Sequence, residues 1–114
     1  MALGVHAQAE VTVAGNEQLR PIVQQMAESL KAPILTWGIL VLTEIEWQNL
    51  GAKRFHTESA FTIIASRHTF VREIYVRSHS ATQIRRTLAH EVGHIMCDCM
   101  KESVADQAAA TLLE

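Results

Sequence analysis

The 114-residue sequence contains few residues of several kinds, and each shortage excludes a class of protein. Its 2 cysteines are too few for the paired cysteine knuckles of a nucleic-acid-binding zinc domain. Its formal net charge of -2 and its pI near 6.3 leave no basic excess to attract nucleic acid. Its longest mainly apolar stretch, residues 32–42, is too short to cross a bilayer. We therefore predict neither a nucleic-acid partner nor a membrane.

The remaining composition, 48% hydrophobic and 19% charged, is that of a globular domain, and the length suits one core. No linker-like run of proline, glycine or serine divides the sequence, so one domain is predicted over residues 1–114, with residues 1–10 as a loose tail. Those first residues lack the basic and apolar segments of a signal peptide, which favours a cytoplasmic location. Cys97 and Cys99 are one residue apart, a spacing that disfavours a mutual disulfide and predicts free thiols.

Local patterns predict the first elements of the fold. The apolar spacing of residues 16–30 predicts an amphipathic helix, whose regular part begins near Arg20 because a proline follows it. Residues 34–42 are rich in Ile, Leu, Val and Trp, which predicts a buried strand. Residues 43–46 have the spacing of a capping box and open a short helical segment that Gly51 closes.

The second half of the sequence predicts two more strands and two more helices. Residues 60–65 and 73–77 are the strand candidates, with residues 66–69 as the turn between them. A second capping box precedes a helix over residues 81–97, and a last helix follows over residues 101–113. The predicted fold class is α+β, with a small, mostly antiparallel sheet packed against the N-terminal helix and the 81–97 helix.

The pentapeptide HEVGH at residues 90–94 is the strongest chemical signal. On a helix, residues four apart lie on one face, so His90 and His94 can bind one metal ion while Glu91 lies beside a bound water. On a helical wheel both histidines lie opposite the apolar residues of the 81–97 helix. The alternative is a pair of surface histidines that binds no metal.

Two histidines leave a tetrahedral zinc ion short of one protein ligand. Glu102 begins the next helix and faces back toward the motif if the chain reverses between the two helices. Asp106 follows one turn later on the same side, where it could accept the second ring N–H of a liganding histidine and fix its tautomer. The alternatives are an ordinary solvated acidic edge and, as substitute ligands, Cys97, Asp98 and Cys99.

Residues 87–94, TLAHEVGH, and residues 102–109, ESVADQAA, resemble the paired helices of gluzincin metallopeptidases. They are most similar to the ImmA/IrrE-like family, and the clear match covers about residues 85–113. A metzincin is excluded because it requires a glycine and a third histidine where this sequence has cysteine and methionine. The resemblance implies a minimal zincin-like fold, an intracellular protein target, a zinc ion held by His90, His94 and Glu102, Glu91 as the catalytic base, and Asp106 in support.

The motif and the resemblance together predict a zinc metalloendopeptidase, in which a zinc-activated water hydrolyses a peptide bond with Glu91 as general base. Its substrate would be a peptide or protein, held as an added strand along an exposed strand of the sheet. His79 and Tyr75 are candidates for contacts with the substrate or transition state. The alternative function is a non-catalytic zincin-like module that binds zinc and a partner. No pattern indicates an oligomeric state.

Overall fold

The structure is a computed structural model, and it describes residues 10–29, 36–51 and 59–113. Within these ranges the chain combines a four-stranded sheet with five α-helices. In chain order the elements are β1 (Glu10–Ala14), α1 (Arg20–Ser29), β2 (Thr36–Leu42), α2 (Glu44–Asn49), β3 (Ala60–Ile63), β4 (His68–Arg72), α3 (Glu73–Ser78), α4 (Ala81–Cys97) and α5 (Glu102–Leu113).

The sheet has the strand order β1-β2-β4-β3 and is mostly parallel. Both β1 and β4 pair with β2 in parallel, and only β3 pairs antiparallel, with β4. The prediction of a mostly antiparallel sheet is therefore wrong. The physical reason lies in the connections, because α1 carries the chain back between β1 and β2, whereas only the short turn after β3 reverses its direction.

The segment from residue 66 to residue 78 also differs from its prediction. Residues 73–77 lie in the helix α3 instead of a strand, and the strand β4 occupies residues 68–72, of which residues 68 and 69 were predicted as part of a turn. Tyr75 and Val76 are consecutive and both buried, whereas Ile74 is exposed. A strand buries two consecutive side chains only where both of its faces are covered, whereas a helix can bury both on one side. β3 ends at Ile63, two residues before its predicted end, in a 3-10 turn.

The elements with capping signals agree closely with their predictions. α1 begins at Arg20, α2 and α4 begin with the two predicted capping boxes, and α4 covers the predicted residues. α5 begins one residue later than predicted, at Glu102. Gly51 has a φ of 71°, as expected of a residue that closes a short helix. Residue 30, residues 34–35 and residues 1–9 of the predicted tail lie outside the described part of the chain. Glu10, the last residue of that predicted tail, begins the strand β1, which was not predicted.

The main core lies between one face of the sheet and the helices α1 and α4. Trp37, Ile39 and Val41 of β2 pack there with Leu88 and Val92 of α4. The opposite face is covered by α2, whose aromatic side chain packs against the aromatic residues of β3 and β4, in a cluster of Trp47, Phe61 and Phe70. α4 is therefore held against the sheet, with β3 at its side and α5 behind it. Among the described helices, none is long and apolar enough to cross a membrane.

Candidate metal centre

The two predicted histidines and the glutamate between them lie on α4, in its second half. Glu91 and His94 are each 8% exposed, and His90 is half-buried. The helical wheel predicted that both histidines lie opposite the packing face of α4. This prediction is correct for His90 but not for His94. His94 is buried because α5 and the turn before it cover that side of α4 as well.

Glu102 of α5 meets both histidines through its two carboxylate oxygens. Its Oε1 atom lies 3.0 Å from His90 Nε2, and its Oε2 atom lies 2.8 Å from His94 Nε2. Neighbouring donor atoms around a tetrahedral zinc ion are about 3.3 Å apart, given zinc-to-ligand distances of about 2.0 Å. The two contacts of Glu102 are therefore slightly shorter than the spacing between neighbouring ligand atoms of a zinc ion.

The second nitrogen of each histidine has its own acceptor. His90 Nδ1 lies 2.6 Å from Asp106 Oδ1, and His94 Nδ1 lies 2.9 Å from the carbonyl oxygen of Cys99. Because a carboxylate and a carbonyl only accept, each Nδ1 donates a hydrogen, and Nε2 is the ring atom available to a metal. Burial lowers the pKa of His90, but hydrogen bonds to Asp106 and Glu102 outweigh it and raise that pKa above its ordinary value.

A tight turn after α4 brings Glu102 to the histidines. Asp98 adopts the left-handed conformation, with a φ of 52°, and the backbone N–H groups of Asp98 and Cys99 bond the carbonyls of Ile95 and His94. This αL ending satisfies the last carbonyls of the helix and reverses the chain within a few residues. The short connection between His94 and Glu102 is therefore long enough to complete the site.

Gly93 allows the two helices to approach this closely. A Cβ atom at residue 93 would lie 2.4 Å from the carbonyl oxygen of Ala105 in α5, a distance that real side chains do not tolerate. Ala105 is itself fully buried. The close crossing at Gly93 and Ala105 sets the distance at which Glu102 and Asp106 reach across to α4.

The structure corrects the prediction of free thiols, because Cys97 and Cys99 form a disulfide. An extended chain would hold these residues too far apart, but the left-handed residue between them brings their Cα atoms to 5.2 Å. That separation lies within the range that a disulfide spans. The bonded sulfurs have no thiolate to offer a metal, and Asp98 is exposed and is not among the described residues that line the cavity.

Glu91 has a different environment from Glu102. Its Oε1 atom accepts a hydrogen bond of 2.8 Å from the hydroxyl of Thr62 on β3. Burial raises the pKa of the Glu91 carboxyl above its ordinary value, although the Thr62 hydrogen bond and the nearby histidines oppose the rise. Sequence reasoning missed Thr62, because nothing in a strand sequence shows which helix residue it will face.

A cavity of about 480 Å³ lies over the histidines and Glu91. One wall comes from β3 and its ends, and the other comes from α4, with Met100 and the acidic residues of α5 at the far side. Among the described ligand atoms, those of His90, Glu91 and His94 lie within 4.8 Å of one another. The cavity therefore gives a substrate access to both the histidine pair and the buried carboxyl.

Neither Tyr75 nor His79 is among the described residues that line this cavity. The Tyr75 hydroxyl contacts the Thr87 hydroxyl and the Gln83 carbonyl, behind the cavity wall. The His79 ring lies on the Tyr75 ring, with centroids 4.0 Å apart, and its Nδ1 atom contacts the Tyr75 carbonyl. The Tyr75 hydroxyl thus has its partners on α4 and reaches the cavity only through Thr87, which lines it, whereas His79 has its partners in α3.

Comparisons of the chain with protein-family models, with curated proteins and with solved structures find no match. Membership of the gluzincins, and of the ImmA/IrrE-like family among them, stays a prediction. The functional argument for this chain therefore rests on the geometry of the site that His90, Glu91, His94 and Glu102 form.

Proposed function

We propose that this chain is a zinc-dependent metallopeptidase of minimal zincin-like fold that hydrolyses peptide bonds in a peptide or protein. His90, His94 and Glu102 would hold the zinc ion, and Glu91 would act as general base. Asp106 would orient His90 through its Nδ1 atom.

The donor set supports zinc as the metal. Two imidazole nitrogens and one carboxylate, with room for a fourth ligand, are typical of catalytic zinc sites. Each contact between a Glu102 oxygen and a histidine Nε2 atom requires a hydrogen between the two atoms. A bound cation would take the place of those hydrogens. When bound, zinc would supply Lewis-acid polarisation of the scissile carbonyl and a lowered pKa for water.

The observation that carries the proposal is the buried carboxyl of Glu91. A buried carboxylate without full pairing lowers the stability of a fold, and Glu91 receives one hydrogen bond, from the neutral hydroxyl of Thr62. A buried acid that is retained at this cost points to a function. Glu91 lines the same cavity as the histidines. Because Glu102 already contacts both Nε2 atoms, Glu91 is not needed as the third metal ligand. A carboxyl with a raised pKa in this position can take a proton from the attacking water and deliver it to the leaving amine.

The decisive variant is Glu91→Gln, assayed with a library of fluorescence-quenched peptides. We expect the native chain to bind about one zinc ion and to cleave some of these peptides. Glu91→Gln should bind zinc equally well but lose at least about 100-fold in kcat, since the amide cannot accept the proton. Glu28→Gln is the matched control, because Glu28 is an exposed residue of α1 outside the cavity. Unchanged cleavage by Glu91→Gln would refute the proposed role.

The alternative remains a zinc-binding module without catalysis, in which zinc only joins α4 to α5. Such a module requires the two histidines and Glu102 as ligands, but zinc binding alone does not require the buried carboxyl of Glu91 beside them. Under this alternative, the native zinc-loaded chain would cleave no peptide of the library, and chelation would abolish binding of a partner. Zinc-dependent cleavage that is lost in Glu91→Gln would exclude the module.

A further inference from the structure

The hydroxyl of Thr62 is the last step in a chain of hydrogen bonds that begins deep in the core. Trp37 Nε1 lies 2.8 Å from Thr69 Oγ1, and Thr69 Oγ1 lies 2.8 Å from Thr62 Oγ1. Thr62 Oγ1 lies 2.8 Å from Glu91 Oε1. We call Trp37, Thr69 and Thr62, together with the hydrogen bonds that connect them to one another and to Glu91, the relay.

The register of the sheet explains why the relay forms. β2, β4 and β3 are neighbours, and Thr62 of β3 lies directly opposite Thr69 of β4. Thr69 in turn pairs with Ile39, whose side chain is on the same face of β2 as Trp37, two residues earlier. The relay therefore crosses three strands on the face that α4 covers, and it ends on the helix at Glu91.

The direction of every hydrogen bond in the relay is determined by its two ends. The indole of Trp37 can only donate, so Thr69 accepts from it. The ionised carboxylate of Glu91 can only accept, so Thr62 donates to it. Since each hydroxyl has one hydrogen, Thr69 must donate to Thr62. All three donors point toward Glu91, and each bond polarises the next.

Packing alone does not explain the hydroxyl of Thr69. Thr69 and Trp37 are fully buried, and a valine of the same shape would fill the site of Thr69 without a polar atom. Val71, at the next position on the same face of β4, is such a residue and is also fully buried. A hydroxyl in this layer costs desolvation unless both of its hydrogen bonds form, and in Thr69 both do.

We propose that Trp37, Thr69 and Thr62 are positioning residues that hold Glu91 Oε1 in place and leave Oε2 as the oxygen that exchanges a proton with water. Among the described residues, none donates a hydrogen bond to Oε2. A reversed relay would leave the buried Thr69 hydrogen without an acceptor, because the indole nitrogen cannot accept one. This consequence for catalysis rests on the proposed function.

The kinetic test uses Thr69→Val, since Thr69 is not among the described residues that line the cavity and reaches Glu91 only through Thr62. We expect kcat to fall about tenfold with KM and zinc affinity unchanged, as is typical when an outer partner of a site residue is removed. Thr69→Ser restores the hydroxyl and should recover kcat. Val71→Ala is the matched control, because it weakens the same layer without breaking the relay. Equal kcat values for Thr69→Val and Val71→Ala would overturn the proposal. If Thr69→Val does not fold, Trp37→Phe removes the donor and keeps an aromatic ring.

A second test needs no catalysis. The chain has 2 tryptophans, and Trp47 lies on the opposite face of the sheet, so its indole N–H resonance is an internal control. We expect Glu91→Gln to shift the Trp37 indole N–H resonance and to leave that of Trp47 unchanged. In a Thr62→Val background the same substitution should no longer shift the Trp37 resonance, whereas a Thr62→Ser background should keep the shift. Equal shifts in both backgrounds would show that no relay connects the two residues. Because this arm reads no activity, it decides the relay even if the chain cleaves no peptide.

Discussion

Asp106 shows how one exposed side chain can control a metal ligand that it helps to orient. It accepts from His90 Nδ1 at 2.6 Å, while the Nε2 atom of the same ring meets Glu102. Removing the acceptor charge lets the ring rotate and makes Nε2 a weaker base. If His90 binds zinc as proposed, Asp106 would contribute to zinc affinity without being a ligand itself.

We expect Asp106→Asn to weaken zinc binding about tenfold, or about 1.4 kcal/mol, in competition with a chromogenic chelator. Asp98→Asn is the control, since Asp98 is an exposed acid near the site whose side chain makes no hydrogen bond to either histidine, and the substitution leaves its backbone contacts in place. Equal zinc affinities for the two variants would mean that Asp106 belongs to the solvated edge of α5 and does not orient His90.

The residues of the site differ in how well a sequence can predict them. Glu102 and Asp106 are four apart on one helix, so a local periodicity places both toward the motif. Thr62 reaches Glu91 from 29 residues away, through a strand pairing that no local pattern encodes. The partner of His94 is a backbone carbonyl, which has no side-chain signature at all.

At the scale of elements, the crossing of α4 and α5 determines the geometry of the metal centre. α4 supplies both histidines and α5 supplies Glu102 and Asp106, so the distance between the helices is also the distance between ligands. That distance depends on the missing side chain at Gly93, which admits the carbonyl of Ala105.

We expect Gly93→Ala to separate the two helices, to lower stability by about 1–3 kcal/mol, and to weaken zinc binding as well. Thermal unfolding and chelator competition measure the two effects. Gly38→Ala is the matched control, because its Cβ would lie 2.6 Å from the His68 ring, far from the ligands in the fold. It should destabilise the sheet and leave the zinc affinity of the folded protein unchanged. A Gly93→Ala protein with native zinc affinity would contradict this view of the crossing.

At the scale of the whole molecule, a zinc ion would join two helices that otherwise meet at small residues and exposed acids. If zinc binds the folded chain but not the unfolded chain, the free energy of unfolding rises by about 4 kcal/mol when free zinc is about 1,000 times the dissociation constant. We expect Tm to rise with zinc concentration and to fall when a chelator removes the metal. Glu102→Gln should lose most of this zinc-dependent rise, whereas Glu28→Gln should keep it. A Tm that is independent of zinc would argue against a metal at this site.

The global arrangement was the least predictable part of the fold. The capping boxes at Thr43 and Ser80 correctly predict the starts of two helices, because a capping box is formed by residues within four positions of one another. The direction of strand pairing depends on the path of the chain between strands, which the strand sequences do not contain. The same limit explains α3, because five alternating residues fit a strand as well as they fit a short helix that leaves Ile74 and Arg77 exposed.

The turn after α4 has a consequence for recognising this site in other chains. Residues 97–99 end the helix, close a disulfide ring and orient His94. The atom that orients the His94 ring is a backbone atom, the Cys99 carbonyl oxygen, and the Cys99 N–H that bonds the His94 carbonyl also belongs to the backbone. Most of these residues could change while the turn keeps its shape. The spacing of the acidic residues could not change in the same way. One residue added between Glu102 and Asp106, in the first turn of α5, would rotate Asp106 by about 100° relative to Glu102. The spacing from His94 to Glu102 and on to Asp106 is therefore a better signature of this site than the residues between them.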